Sequence, residues 1–222
     1  MSNLKIITGH YGSGKTEFSV NYVMKKYTDY ENTTLVDMDI VNPYFRSREH
    51  YQMFSEKNIN LLGSSTGVQN LSADLPALPG EIYGCIENKQ SLIVFDVGGD
   101  GNGAKVLSRF SNKISQRDYD MYCVVNTNRP FTNKSEKVID YIYDIQYNSK
   151  LKITGLINNT HMLRETTAKD INSGYIICKE VENKLNIPLI HNIINTTINT
   201  NDLIFDENIF TLEQYFMRPE WL

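Results

Sequence analysis

The sequence predicts an α/β domain built as a doubly wound, mostly parallel sheet with helices on both faces, a three-layer, Rossmann-like arrangement. Apolar runs without polar alternation recur along the chain, and such runs suit parallel strands that are buried on both faces. Helical patterns lie between these runs, and this alternation implies right-handed βαβ crossovers. A glycine-rich loop also separates the first apolar run from the first helix, at the sheet edge where such folds bind ligands.

The elements follow in a simple order. Predicted strands cover residues 4–7, 34–37, 59–62, 91–96, 121–126, 153–158 and 187–190. Predicted helices cover residues 16–24, about 45–57, 79–89, 104–117, 133–148 and 167–186. Residues 63–80 are the most irregular stretch, and residues 212–222 are predicted to be a tail that docks on the domain. A chain of 222 residues accommodates one α/β domain, so residues 1–222 are predicted to form a single unit.

Composition excludes several classes of function. The net charge of −4 argues against a dedicated nucleic-acid binder, which would usually be basic. No apolar run approaches the length of a membrane span, and the end of the chain has too few basic residues for a membrane anchor. Cys85, Cys123 and Cys178 form no C-x-x-C pair and indicate neither a zinc site nor a disulfide framework. We therefore expect a cytoplasmic protein.

The run from Gly9 to Thr16 is a complete phosphate-binding loop of the pattern G-x-x-x-x-G-K-[ST]. The strand before it and the helix after it allow backbone N–H groups and a helix N-terminus to face phosphate oxygens. Lys15 is predicted to reach the β- and γ-phosphates and to act in catalysis, and the Thr16 hydroxyl to ligate Mg²⁺. The predicted nucleotide contacts in this loop are Gly9, Tyr11, Gly12, Ser13, Gly14, Lys15 and Thr16.

Two further groups of residues follow strands at the same edge of the sheet. Asp96 ends a buried strand and is predicted to support the Mg²⁺ ion, as in a Walker B motif. Gly99 completes a D-x-x-G pattern with it, and its N–H is predicted to bind the γ-phosphate. Val97 stands where motor and AAA-type ATPases tend to carry Glu, which argues against those classes.

Asp37 and Asp39 follow the second strand, and side chains two residues apart on an extended chain point the same way. One carboxylate is expected to orient the attacking water and the other to support the metal ion. A turn role, with residues 42–43 closing the strand, is the alternative.

These residues resemble the MinD/ParA/CobQ–CobB (SIMIBI-type) superfamily of P-loop NTPases, which includes the nitrogenase iron protein. The resemblance implies that Asp39 activates the hydrolytic water and that Asp37 belongs to the metal site. The segment 155–160 resembles the G-L-I-x-N-S stretch of iron proteins, which implies that Asn159 contacts adenine, with Asn158 as the rival residue. The loop 191–195 would then cover the base.

The sequence departs from this family in two places. His10 stands where MinD and ParA proteins carry a lysine that reaches a dimer partner's phosphates. No cysteine lies near residues 96–99, so a shared iron–sulfur cluster is disfavoured. If the chain forms a homodimer, Arg46 or Arg48 is the candidate for the missing cation. No N-K-x-D follows a strand, because residues 133–136 indicate a helix start, and guanine is therefore disfavoured.

The sequence thus predicts an ATP-binding protein that uses Mg²⁺ and hydrolyses ATP slowly as a nucleotide switch. A small-molecule kinase, or a ligase-type enzyme similar to dethiobiotin synthetase, is the first alternative. Its acceptor, or else a protein partner, would lie near residues 42–80. A partner protein that binds nucleotide without hydrolysis is the second alternative. Arg129 follows a predicted strand and is a candidate for lining the base pocket.

Overall fold

The sheet of this protein has eight strands in the order β3-β2-β4-β1-β5-β6-β7-β8, and every pairing is parallel. This architecture comes from a computed structural model that describes residues 2–38, 51–63 and 80–216. The strands are β1 (Leu4–Thr8), β2 (Thr33–Met38), β3 (Ile59–Gly63), β4 (Leu92–Val97), β5 (Asp120–Val125), β6 (Gly155–Asn158), β7 (Leu189–Asn195) and β8 (Ile209–Leu212). The predicted fold class is confirmed.

Helices cover both faces of the sheet. Those in the described ranges are α1 (Lys15–Lys26), α2 (Tyr51–Glu56), α3 (Glu81–Glu87), α4 (Gly101–Leu107), α5 (Ser111–Ile114), α6 (Ser135–Ser149) and α7 (Ala168–Leu185). One hydrophobic cluster packs helices α3, α4, α5, α6 and α7 against one face of the sheet. A second cluster joins α1 and α2 with the opposite face. Because the strands are buried on both faces of the sheet, their sequences are apolar runs without polar alternation.

The side-chain alternation along β2 and β4 decides what faces α1. Leu35 and Val94 belong to the cluster that contains α1, whereas Val36 and Phe95 belong to the cluster on the other face. Because side chains two residues apart share a face, Asp37 and Asp96 continue the α1 side of their strands. The fold therefore directs two carboxylates toward the helix that follows the phosphate loop.

Three predicted elements were wrong in detail. The predicted helix 104–117 is two helices, α4 and α5, with a turn between them. Serine hydroxyls there donate to helical carbonyls, Ser108 Oγ to Lys105 O at 2.6 Å and Ser111 Oγ to Ser108 O at 2.8 Å, which competes with a continuous helix.

The other two differences lie at the edge of the sheet. Residues 191–195, expected to be a loop that covers the base, belong to strand β7, which runs from Leu189 to Asn195. The short edge strand β8, which pairs with β7, was not predicted from the sequence. Pairing with β8 extends β7 beyond the predicted strand 187–190.

The described part of the chain's last segment docks on α1, as predicted. The Phe216 side chain is buried in the cluster that contains α1. Its backbone N–H donates to Glu17 Oε1 at 2.7 Å, in the first turn of that helix. Lys25 Nζ, in the last turn of the helix, donates to Thr211 O at 2.6 Å. The segment from β8 to Phe216 therefore lies along the whole length of α1.

All three cysteines are free thiols, with Cys123 and Cys178 buried and Cys85 partly buried. Burial raises the pKa of the Cys123 thiol to about 12, so it stays protonated and unreactive. Across residues 2–38, 51–63 and 80–216, none of the helices combines the length and the apolar character that crossing a membrane would demand.

Candidate nucleotide-binding site

The run from Gly9 to Gly14 forms the loop between β1 and α1. Gly12 and Gly14 have φ of 75° and 81°, a region that L side chains rarely adopt, so the loop needs glycine at both positions. A tight turn closes the loop, in which the Ser13 N–H donates to His10 O at 2.9 Å. The Ser13 hydroxyl is buried and has no hydrogen-bond partner among the described residues. The loop therefore holds a buried hydroxyl with which a bound oxyanion could pair.

Helix α1 begins directly after this loop without a side-chain cap. Its N-cap is Gly14, which makes no side-chain hydrogen bond, and its first intrahelical bond runs from Phe18 N–H to Gly14 O at 3.0 Å. The first N–H groups of a helix have no intrahelical acceptor and carry the positive end of the helix dipole. Lys15 and Thr16 lie in this first turn, and both are buried. This arrangement is typical of an anion-binding site at a helix N-terminus, and Lys15 adds a cationic side chain to it.

Two carboxylates lie beside the first turn of α1. Asp37 on β2 and Asp96 on β4 are register partners on neighbouring strands, and both are buried. The Ser19 hydroxyl, one turn along α1 from Thr16, lies 3.4 Å from Asp96 Oδ1. The structure thus places the predicted metal residues Asp37 and Asp96 side by side and within reach of α1, the helix whose first turn contains Thr16. Carboxylate and hydroxyl oxygens are the ligand type that Mg²⁺ prefers.

Gly99 lies against the start of the phosphate loop. A Cβ built at Gly99 would lie 2.2 Å from Gly9 O and 3.1 Å from the His10 carbonyl carbon, so only glycine fits there. Asp100, the next residue, caps α4 because its Oδ1 accepts from Gly103 N–H at 2.7 Å. The D-x-x-G segment is therefore packed between the phosphate loop and α4.

Three side chains hold the phosphate loop from the ends of β5 and β6. Asn126 Nδ2 and Arg129 Nε donate to Gly12 O at 3.1 Å and 3.2 Å. Asn159 Nδ2 donates to Ser13 O at 2.7 Å. These side chains bond the Gly12 and Ser13 carbonyl oxygens. The two carbonyl oxygens therefore point toward β5 and β6 and away from the phosphate site. We call Asn126, Arg129 and Asn159 the loop clasp.

The geometry separates the two rival asparagines after β6. Asn158 is fully buried, and its Nδ2 donates to Ile171 O at 3.0 Å and to Asn192 Oδ1 at 3.1 Å. Asn159 contacts the phosphate loop instead. Asn159 is therefore the candidate for a base contact, and Asn158 connects β6 to β7 and α7.

His10 is packed within the chain. Its ring stacks on Phe131 with centroids 4.8 Å apart and meets Tyr141 edge-on at 5.6 Å. Phe131 itself is 65% exposed, and the neighbouring Tyr11 is 66% exposed. The imidazole thus packs against aromatic side chains of its own chain. The lysine that stands at this position in MinD and ParA proteins instead extends toward a dimer partner.

Several predicted residues lie outside the described ranges. These are the proposed water-activating Asp39, the candidate cations Arg46 and Arg48, and residues 42–50 and 64–79 of the acceptor region 42–80.

The clasp residue Asn126 was missed by the sequence analysis. It ends a buried strand, which is the same signal that singled out Asp96, but no motif marks it. Arg129 was expected to line the base pocket, and its guanidinium lies against Gly12 of the loop. A Cβ at Gly12 would lie 2.8 Å from Arg129 Nε.

Comparison with known proteins gives structural matches alone. No family model matches the sequence, and no curated protein matches it. The cell division protein FtsY from Thermotoga maritima is similar at a TM-score of 0.53 and 14% identity, over 84% of this chain and 60% of that one. The signal recognition particle receptor FtsY from Elizabethkingia anophelis is similar at a TM-score of 0.50 and 13% identity, over 93% of this chain and 63% of that one.

These likenesses show the fold. This chain shares the α/β fold of FtsY, and the likeness gives no support to the MinD and ParA subgroup. The chain spans about three fifths of the FtsY chains, at 60% and 63%.

Proposed function

We propose that this protein binds ATP with Mg²⁺ and hydrolyses it slowly as a nucleotide switch. The observation that carries the proposal is the phosphate loop with two left-handed glycines, followed at once by the uncapped first turn of α1. A triphosphate satisfies the N–H groups of both elements and pairs with Lys15. The MinD/ParA/CobQ–CobB kind of switch remains part of this proposal through the motifs after β2 and β6.

The donor set beside the loop fits Mg²⁺. Among the described residues no group of three His, Cys, Asp or Glu side chains forms a dedicated metal cage. Mg²⁺ usually takes one or two protein oxygens and completes its shell with phosphate oxygens and water, so such a cage is not needed. The Thr16 hydroxyl and the Asp96 carboxylate would hold the ion, with Asp37 beside them. When bound, the ion neutralises charge on the β- and γ-phosphate oxygens.

The proposed reaction is an in-line displacement at the γ-phosphorus. A water oxygen forms the new bond, the bond to the oxygen between the β- and γ-phosphorus atoms breaks, and the products are ADP and inorganic phosphate. Asp39 orients the water in this proposal, on the strength of the family resemblance. Lys15 and the loop N–H groups stabilise the charge that spreads over the transferring phosphoryl oxygens. Release of the γ-phosphate would free the N–H of Gly99 and let its loop reorganise.

The clasp supports adenine over guanine. Because Asn159 Nδ2 donates to Ser13 O, the amide is oriented with Oδ1 on its other side, and Oδ1 accepts no hydrogen bond from the described residues. Asn159 Oδ1 is a hydrogen-bond acceptor, so it pairs with a base that presents a donor to it. Adenine carries an N6 amino group beside N7, whereas guanine carries the acceptor O6 there. The fixed orientation of one amide thus discriminates between the two purines.

Phosphate release from ATP, measured with and without a pool of small metabolites, tests the proposal. We expect slow release that needs Mg²⁺ and is independent of any acceptor. Turnover that appears only with an acceptor would establish the kinase or ligase-type alternative instead. Binding of ATP without turnover would establish a non-hydrolysing partner protein, and the absence of ATP binding would overturn the proposal.

A further inference from the structure

His161 lies two residues after the clasp residue Asn159, and its backbone is fixed by another clasp residue. Asn126 Nδ2 donates to His161 O at 3.3 Å, and Asn126 Oδ1 accepts from His161 N–H at 3.3 Å. The same Asn126 amide donates to Gly12 O. One asparagine therefore holds His161 in a fixed position relative to the phosphate loop.

The protonation of the His161 ring follows from its surroundings. The Leu163 N–H donates to Nδ1 at 3.4 Å, which assigns the proton of the neutral ring to Nε2. Burial and the nearby Arg129 cation lower the pKa of His161 to about 4, so the ring is neutral at physiological pH. His161 consequently has an N–H donor at Nε2.

No described residue accepts a hydrogen bond from this donor, and His161 Nε2 is buried. It lies beside Asn159, because a Cβ built at Gly14 would be 3.3 Å from His161 Nε2 and 2.3 Å from Asn159 Nδ2. A buried donor without an acceptor is costly, and a ligand atom that accepts from it would remove that cost.

We propose that His161 is a second base-reading residue, which donates from Nε2 to N7 of adenine while Asn159 Oδ1 accepts from the N6 amino group. The inference rests on the proposed function, since it assigns part of the same nucleotide site. An adjacent acceptor and donor match the N6 and N7 edge of adenine. Guanine presents two acceptors, O6 and N7, so it satisfies the His161 donor and leaves the Asn159 oxygen unsatisfied.

The analogue 7-deaza-ATP tests this contact at a single atom, because it keeps the N6 amino group and lacks the N7 acceptor. Dissociation constants for ATP and 7-deaza-ATP would be measured by calorimetry on the parent protein, His161→Leu and His161→Gln. We expect the parent to bind 7-deaza-ATP roughly three- to tenfold more weakly than ATP, as for the loss of one hydrogen bond. His161→Leu should bind both nucleotides equally, and His161→Gln, which keeps a donor, should restore part of the difference.

His191→Leu is the matched control. His191 is another histidine with a buried ring nitrogen that has no hydrogen-bond partner among the described residues. It lies within strand β7, packed against Phe18 and Phe210, and not in a loop that covers the base as the resemblance implied. This variant should keep the parent's discrimination between the two nucleotides. Thermal unfolding of each variant shows whether the comparison is made on folded protein.

Two outcomes would overturn the role of His161 and leave ATP binding intact. The parent could bind ATP and 7-deaza-ATP equally, or His161→Leu could weaken both and keep the difference, which would mean that the histidine only supports the loop. An absence of binding by the parent to either nucleotide would instead overturn the proposed function.

Discussion

Asp37 and Asp96 are register partners on adjacent strands, and both point toward the helix that begins at Lys15. Two buried carboxylates side by side would repel each other in the absence of cations. The fold places the start of α1, which carries Lys15, at this edge of the sheet. In the proposed function, Lys15 and Mg²⁺ supply the positive charge that these two carboxylates and a triphosphate need.

Replacing Lys15 with Ala should weaken ATP binding sharply. The change removes the cation of the phosphate loop, and loss of a charge-assisted hydrogen bond costs about 2–3 kcal/mol, or roughly thirty- to 150-fold in the dissociation constant. Titration with a fluorescent ATP analogue measures the effect. Lys26→Ala, at the far end of the same helix, is the control and should bind as the parent does. Unchanged affinity in Lys15→Ala would contradict the assignment of the loop.

Replacing Asp39 with Ala should leave ATP binding intact and slow hydrolysis by orders of magnitude, because it removes the orientation of water and no phosphate contact. Asp37→Ala should act differently and raise the Mg²⁺ concentration needed for activity. Single-turnover hydrolysis at several Mg²⁺ concentrations separates the two effects. If Asp37→Ala alone abolishes turnover at saturating Mg²⁺, the two roles are reversed.

ATP should bind more tightly than GTP, by roughly fivefold or more, since a wrong base typically costs at least 1 kcal/mol at a reading contact. Asn159→Ala should reduce this preference, and it should also weaken both nucleotides because Ser13 O loses its donor. Competition binding with both nucleotides provides the measurement. A preference for GTP in the parent would refute the adenine contact of Asn159.

His10→Ala should change neither the oligomeric state nor the rate of hydrolysis by more than about twofold. The His10 ring is committed to its stack on Phe131, and it is shorter than the lysine that reaches a dimer partner in the resembling family. A missing cation of that kind costs about 10³–10⁵ in the rate of related reactions, so we expect slow basal turnover. Sedimentation with and without a non-hydrolysable ATP analogue tests the oligomeric state. Loss of ATP-dependent dimerisation in His10→Ala would show that His10 replaces the lysine.

Two histidines should make the protein less stable in acid. Burial, followed by the Lys5 charge, lowers the pKa of His191 to about 4, and burial with the Arg129 charge does the same for His161. A histidine whose folded pKa lies below its unfolded value of about 6.5 binds more protons when unfolded. Its stabilising contribution is therefore present above pH 6.5 and is lost as the pH falls toward 4.

The expected loss is on the order of 2 kcal/mol for each histidine between pH 7 and pH 5. Urea unfolding at about pH 7 and pH 5 measures it, and His191→Leu should show a smaller pH dependence than the parent. An equal pH dependence in the two proteins would assign the acid sensitivity to other groups.

The sequence by itself determined the strands, most helices and the phosphate loop, because each depends on neighbouring residues. Gly12 and Gly14 must adopt left-handed backbone wherever they occur in this motif, and buried parallel strands must be apolar on both sides. Asp96 was predicted for the same reason, since an acid at the end of an apolar run is visible without knowledge of the fold.

The tertiary structure alone decided the loop clasp and the edge strand β8. Asn126, Arg129 and Asn159 lie more than a hundred residues after the loop carbonyls they contact, and no local pattern predicts a hydrogen bond over that separation. The four residues of β8 gain strand structure only by pairing with β7. The unsatisfied Nε2 of His161 likewise follows from packing, because burial and the charge of Arg129 fix its protonation only in the folded chain.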